Sequence, residues 1–294
     1  ALNLYREDSL NKTLKYPIDL KSETRNVLIK DNAIGKAIHG ISGDAAENLE
    51  IFGNFIGTAP NGGVLPGDDY LLEVGITFIG GRNIAIGGTE SSQKNVIGRC
   101  MRVGIGFGYP TWYPGTVEGM TIQGNYIGTD ATGLQANKND TGIGIAIPSE
   151  ELIIGTDNFA GYLSGQPPAE CHSGVNLISA NKTGIHTSST TATIVGNYIG
   201  VNATGHLPLP NEGIGIRGSG IIANNLVSGN LGGGIMSIGG NTPYPQCLVQ
   251  GNYVGTDVTG MSAIPNKIFG ITANRTHLVG GSELSLCLAA PDHL

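Results

Sequence analysis

Gly124-Asn125-Tyr126-Ile127-Gly128 decides the fold, because the chain keeps returning to it. The pattern Gly-Asn-aromatic-Ile/Val-Gly recurs at 53–57, 196–200 and 251–255. Relaxed to Asn-x-Ile/Val, it adds Asn32, Asn95, Asn176 and Asn225. Each of these asparagines is followed by a Gly-Ile dipeptide, beginning at Gly40, Gly75, Gly104, Gly142, Gly184, Gly213, Gly234 and Gly270. The separations from Asn to Gly-Ile run 8, 21, 9, 17, 8, 16, 9 and 18 residues. Short and long connections therefore alternate, and the true unit is a pair of turns. Only the long-gap turns carry Phe or Tyr after the asparagine.

Self-similarity at this spacing is the signature of a stacked repeat, in which no unit buries its apolar face alone. In Gly142-Ile143-Gly144-Ile145 the period of two puts the isoleucines on one face, read as the interior. The glycines are expected to face outward or to sit at corners that need a positive φ. The repeated asparagines suit a bend, where each can adopt the left-handed conformation and hydrogen-bond its copy one turn away. At about 4.8 Å per turn, eight turns give a rod of roughly 38 Å. The expected fold is all-β: a right-handed, single-stranded parallel β-helix of about eight coils. It forms one domain over 1–294, with regular repeats from about 26 to 281. Extra residues around 158–171, including Pro167 and Pro168, read as an inserted surface loop.

Composition agrees. Forty-eight glycines suit many tight turns, and no helical apolar period or heptad is present. An apolar share of 39% is too high for disorder at 13% charged residues. No apolar run reaches the roughly 18 residues of a membrane span. The net charge is −7 and the basic residues are scattered, which argues against a nucleic-acid partner. Ala1 to Asp8 read as mature protein, which places any export signal outside this sequence. The four cysteines show no metal-ligand spacing. Cys171 and Cys247 each precede a ladder asparagine by five residues. They would stand three coils apart, at least about 14 Å, too far for a disulfide.

The run 124–133, Gly-Asn-Tyr-Ile-Gly-Thr-Asp-Ala-Thr-Gly, followed by Asn139 and Gly142-Ile143, resembles the right-handed parallel β-helix repeat family of the pectin-lyase-like superfamily. Ile86-Gly87-Gly88-Thr89 leading to Asn95-Val96-Ile97 is similar to it as well. The resemblance implies the fold over about 26–281. It leaves function open among polysaccharide lyases, glycosidases, epimerases, phage tailspikes, adhesins and other surface proteins. Relatives that are lyases use calcium-binding acidic clusters with an Arg or Lys base. Family 28 glycosidases carry Gly-His-Gly and Arg-Ile-Lys motifs, and neither motif occurs in this chain.

Candidate site residues are few. Asp130 and Asp257 occupy equivalent loop positions, but about four rungs, roughly 19 Å, separate them. A glycosidase needs two carboxyl groups within about 5–10 Å. Turn chemistry within each Thr-Asp-x-Thr-Gly loop explains these acids better. Asp68 and Asp69 are adjacent in a long loop, where solvation is the bland reading and calcium the one cofactor left open. His186 and Arg217 would lie on neighbouring coils of one face, either as two solvated side chains or as a basic pair for lyase-type proton abstraction. Asn11, Asn139, Asn181, Asn202 and Asn274 fit Asn-x-Thr, a motif that Asn- and Thr-rich turns generate freely.

The leading functional expectation is an extracellular or cell-surface module, structural, adhesive or filament-forming, whose partners are polysaccharide or other copies of itself. A carbohydrate-active enzyme and a phage receptor-binding fibre are the alternatives. The chain ends show no evident caps, which suggests a piece of a longer solenoid or ends covered by neighbours. The residues after the asparagines, Ala33, Phe55, Val96, Tyr126, Leu177, Tyr198, Leu226 and Tyr253, form an apolar stripe. Either the bend turns them inward, or the long loops starting near Thr58, Thr129, Val201 and Thr256 fold over them as a ridged shelf. On the shelf reading, Tyr126, Tyr198, Tyr253, Asp130 and Asp257 mark the binding surface.

Overall fold

The computed structural model describes residues 16–67, 70–108, 115–156, 174–188, 191–238, 247–273 and the backbone of 277–279. Its described elements are β-strands and one 3₁₀ turn, Ser91–Gln93. Eight two-residue strands form one parallel sheet in sequence order: Ala33–Ile34, Phe55–Ile56, Val96–Ile97, Tyr126–Ile127, Leu177–Ile178, Tyr198–Ile199, Leu226–Val227 and Tyr253–Val254. Two further parallel stacks carry the rest of each repeat. The Gly-Ile stack includes Cys100–Phe107, Thr141–Ile145, Thr183–Thr187, Ile216–Gly218, Gly233–Ser237 and Phe269–Ala273. The third includes Val117–Gln123, Ser149–Gly155, Thr193–Val195, Ile221–Ala223 and Cys247–Gln250. Early in the chain the strands Ala37–Phe52 and Leu72–Gly87 run unbroken through both stacks and join them. The architecture is an all-β parallel solenoid.

Register explains the sequence pattern. Ile41, Ile76, Ile105, Ile143, Ile185, Ile216 and Ile235 stand in one column. Ile51, Ile86, Ile122, Ile154, Ile194, Ile222 and Val249 form a second, and Ile34 through Val227 of the two-residue strands a third. All three columns belong to one buried cluster. Each buried isoleucine is worth roughly 1.5–3 kcal/mol, so repetition alone supplies a large core. One sequence assignment shifts. The sixth Gly-Ile dipeptide is Gly215-Ile216, because Ile216 pairs with Ile185 and Gly184 donates to the Ile214 carbonyl. The preceding gap becomes 18 residues, like the other long gaps.

The glycines of this stack correct an expectation. Gly40, Gly75, Gly104, Gly142, Gly184, Gly215 and Gly234 do not occupy the positive-φ region. A Cβ on each would lie 2.3–3.0 Å from the carbonyl oxygen of the next glycine in the column. It would also crowd a methyl of the two-residue sheet, such as Ile56 Cγ2 at 3.0 Å from Gly40. Close approach across the interior, not backbone freedom, selects glycine here.

The asparagines stack as expected. Asn32, Asn54, Asn95, Asn125, Asn176, Asn197, Asn225 and Asn252 each donate from Nδ2 to Oδ1 of the next, at 2.8–3.1 Å across the seven steps. The left-handed residue is the one before several of them, at Asp31, Gly53, Gly124, Gly196, Asn224 and Gly251, with φ of +54° to +68°. A second buried ladder joins Asn139, Asn181, Asn211, Asn230 and Asn266 at 2.8–3.3 Å, and Asn139 Oδ1 accepts from the Cys100 amide. A third, exposed ladder joins Asn26, Asn48 and Asn83, all left-handed. In this way the bends satisfy polar groups that burial would otherwise penalise.

Candidate functional site

The four long gaps build a shelf beside the two-residue sheet. Three of its loops close with isolated antiparallel bridges, Thr129–Ala136, Val201–Pro208 and Thr256–Ala263. Successive loops are hydrogen-bonded to one another: Ala131 N donates to Gly62 O at 2.8 Å, Ala203 N to Gly133 O at 3.0 Å, and Val258 N to Gly205 O at 3.0 Å. Beneath each loop lies its aromatic. A Cβ on Gly62, Gly133, Gly205 or Gly260 would fall 2.7–3.1 Å from a ring atom of Phe55, Tyr126, Tyr198 or Tyr253, respectively. These glycines also have positive φ, from +67° to +78°. Both demands explain the glycine at each loop tip. The loops thus bury a second cluster of Val175, Leu177, Tyr198, Val201, Leu226, Val258 and Ile264.

This geometry places the sequence-selected shelf residues underneath it. Tyr198 is 2% exposed, which leaves its ring almost no surface for a ligand. Tyr126 and Tyr253 are half-buried, and Lys94 Nζ sits 3.8 Å from the Tyr126 ring centroid. Asp130 and Asp257 are buried in their own turns. Asp130 Oδ1 accepts from the Thr132 hydroxyl and the amides of Leu134 and Gln135. Asp257 Oδ1 accepts from the Thr259 hydroxyl and the amides of Met261 and Ser262. The Thr259 hydroxyl is the main cause holding the Asp257 carboxyl well below the ordinary carboxylate range; His206 Nδ1, 3.1 Å from Oδ2, contributes less. Asn202 fills the same place in the third loop, accepting from Thr204 and Leu207.

His186 and Arg217 do come together. They are register partners on adjacent rungs of the Gly-Ile stack. They line an open groove of about 430 Å³ with Lys182, Thr183, Glu212, Gly213 and Ile214. The other charges near it are engaged, Lys182 with Asp140 at 2.9 Å and Lys138 with Glu212 at 2.7 Å. Arg217 is exposed and has no ion-pair partner among the described residues. Burial, and then the Arg217 charge, lower the pKa of His186, so the imidazole is neutral at neutral pH. In such a pair the guanidinium can hold an anion and the neutral imidazole can accept a proton from it. A larger groove of about 620 Å³ lies at the early corner of the solenoid. There Arg25, Glu47, Arg82 and Glu118 form a register column of alternating sign, consistent with cross-strand pairing on a solvated face.

Asp68 and Asp69 lie outside the described residues, as do Cys171, Asn11, Asn274 and 157–173 of the inserted loop. Just before them, the buried Arg99 donates to the carbonyls of Leu65 at 2.6 Å, Pro66 at 3.4 Å and Gly67. No group of three or more His, Cys, Asp or Glu able to hold a metal occurs among the described residues. Of the Asn-x-Thr asparagines, Asn139 and Asn181 are fully buried ladder members and Asn202 is held in its turn, so none of the three is open to a glycan. Cys100 and Cys247 are free and buried, and burial pushes both thiols up. Among the described residues no helix is long and apolar enough to cross a membrane. Comparison with protein-family models, curated proteins and solved structures finds no match to this chain.

Two features escaped the sequence reading. The second asparagine ladder was signalled by an asparagine three or four residues before five successive Gly-Ile dipeptides. The other is a set of exposed apolar side chains near the loop tips: Leu134 and Met261 one position past the tip glycine, Val64 and Leu207 two positions past it. Its signal was an apolar residue one or two positions past the tip glycine or Gly-Gly.

Proposed function

We propose that this chain is a right-handed, single-stranded parallel β-helix of the pectin-lyase-like kind, working as a rigid extracellular or cell-surface module that contacts acidic polysaccharide. Right-handed crossovers between parallel strands are the strong rule, and the repeat motifs resemble that family. One observation carries the functional reading: the repeated polar residues are committed to internal ladders and turns, whereas Arg217, without an ion-pair partner among the described residues, lines an open groove beside His186. The repeats build a scaffold, and the groove is what the scaffold presents. An extended anionic chain lying along the stack would meet Arg217 with a carboxylate.

The neutral state of His186 favours a second reading, polyuronate elimination. Arg217 would neutralise the uronate carboxylate, and His186 would take the proton from the adjacent carbon. The carbon–oxygen bond to the leaving sugar would then break as the ring carbon–carbon double bond forms, its electron pair going to the sugar oxygen, which takes a proton from water, and the His186 imidazolium returns its proton to solvent. Calorimetric titration with polygalacturonate and with a neutral glucan tests binding, and ultraviolet absorbance of the unsaturated product tests elimination. Binding of the acidic polymer that is lost in Arg217→Ala supports the module. Product formation lost in His186→Ala supports the lyase. Arg217→Ala binding as well as the native chain refutes both.

A further inference from the structure

We propose that a carboxylate entering the groove between His186 and Arg217 brings a proton onto His186, so that this site holds acidic polysaccharide more tightly in mild acid than at neutral pH. The inference rests on the reading of the groove as an anion site and names what regulates it. His186 and Arg217 are register partners on adjacent rungs, about 4.8 Å apart along the stack, and both line the same open groove. On the preceding rung the register partner of His186 is Gly144, which carries no side chain, and beyond Arg217 stands the neutral Met236. Lys182 lines the groove from the histidine's own rung, and Glu212 from the segment that enters the next. Lys182 is paired with Asp140 and Glu212 with Lys138. Among the described residues, the charge left unmatched beside the imidazole is therefore that of Arg217.

With the groove empty, a proton on His186 loses hydration and lies beside the Arg217 guanidinium. Both effects disfavour it, burial more than the charge. A carboxylate bridging the two side chains reverses the balance. Its negative charge within hydrogen-bond distance favours the imidazolium by about 1–3 pKa units, and the contacts to both side chains become charge-assisted. The His186 pKa is thus higher with the groove filled than with it empty. The added affinity is complete below the empty-groove value and is lost as pH rises through the filled-groove value. Each unit between the two is a gain of about tenfold at the acid limit. The ligand's own carboxylates stay ionised down to about pH 5. A protonated imidazole is no base, so any elimination would slow over the range in which binding tightens.

Calorimetric titration of the full chain with polygalacturonate at about pH 8 and about pH 5, in about 0.15 M salt to screen distant charge, tests this. The native chain should bind at least about fivefold more tightly in acid. His39→Gln, four rungs away in the same stack, should keep that gain, and His186→Gln should lose most of it. At about pH 6.3, heats in two buffers of different ionisation enthalpy should show uptake of a sizeable fraction of one proton on binding, in the native chain and in His39→Gln. Circular dichroism confirms the fold of each variant at each pH. A gain that survives in His186→Gln overturns the proposal. Where His186→Gln is unfolded, the proton count takes its place: uptake that persists in His39→Gln supports the proposal, and no uptake overturns it. Absence of binding at both pH values, or Arg217→Ala binding as the native chain does, removes the anion site and the proposal with it. Binding that is lost in Arg217→Ala but indifferent to pH removes only the proton.

Discussion

Replacing Asn125 with alanine removes one rung from the middle of the long ladder. Asn125 Nδ2 donates to Ile86 O and Gln123 O at 2.9 Å and to Asn176 Oδ1 at 3.1 Å, while its Oδ1 accepts from Asn95 Nδ2 at 2.8 Å. Asn125 is fully buried. Each buried polar group left without its partner costs about 1–3 kcal/mol. The two backbone carbonyls each have a second lone pair and take the low end. Gln123 O still accepts from the Gly88 amide, Asn176 Oδ1 from the amide of residue 125, and Asn95 Nδ2 still donates to Ile51 O. The loss should therefore be about 2–4 kcal/mol, a sizeable fraction of the roughly 5–15 kcal/mol that holds a domain together. Asn32, at the ladder's first rung, donates to Lys30 O and Asn54 Oδ1 and is 9% exposed. Asn32→Ala should cost only about 1–2 kcal/mol. Asn125→Asp keeps the acceptor and loses the donors, so it should be at least as damaging at neutral pH. Its deficit should shrink as acid protonates the carboxyl and restores one donor. Urea titration followed by far-ultraviolet circular dichroism measures all three variants. If Asn125→Ala costs under about 1.5 kcal/mol, or no more than Asn32→Ala, the ladder does not stabilise the bend in this way.

Gly133→Ala should destabilise by about 2–4 kcal/mol, because its Cβ would meet Ala203 and Leu177 at 2.6 Å with φ at +67°. Gly67→Ala, at φ +87° with open space around it, should cost only about 1 kcal/mol, and thermal melts of the pair separate strain from collision. The depressed Asp257 carboxyl stabilises the folded state above the unfolded pKa and loses that contribution as pH falls through its lower folded value. Asp257→Asn, which copies Asn202, should flatten the acid limb of the stability–pH curve. His39 and His186 are lowered chiefly by burial, so folding is disfavoured as pH drops below the ordinary histidine pKa of about 6.5. Stability measured at neutral pH and in mild acid should show that fall in the native chain and less of it in His39→Gln or His186→Gln.

The sequence revealed the stack because its strongest signals, Asn-x-Ile and Gly-Ile, sit at positions where neighbouring rungs meet and nothing else fits. The repeat pattern alone places Asn125 in the ladder and Ile143 in the core. Gly142 was placed correctly in the repeat but for another reason, since sequence shows that a side chain is missing and not which atom would strike it. The slip between Gly213 and Gly215 arose because Gly-Ile-Gly-Ile offers two registers, and only pairing with Ile185 chooses between them. His186 and Arg217 were brought together correctly because rung-to-rung neighbours follow directly from repeat alignment. The shelf residues were harder. Tyr198 and Leu207 are both apolar residues of one loop region, and which is covered depends on how the loop closes over its glycine.

The alternation of bare and looped rungs has a consequence for how such a rod changes length. Each loop reaches its neighbour through a single backbone link, such as Ala203 N to Gly133 O, that fits a separation of two rungs. Deleting one rung would set two loops and two tyrosines on adjacent levels about 4.8 Å apart, where they would collide. Inserting one would break the link and expose the ring beneath. Duplication and loss are therefore restricted to even numbers of rungs, and the rod grows in steps of about 9.6 Å.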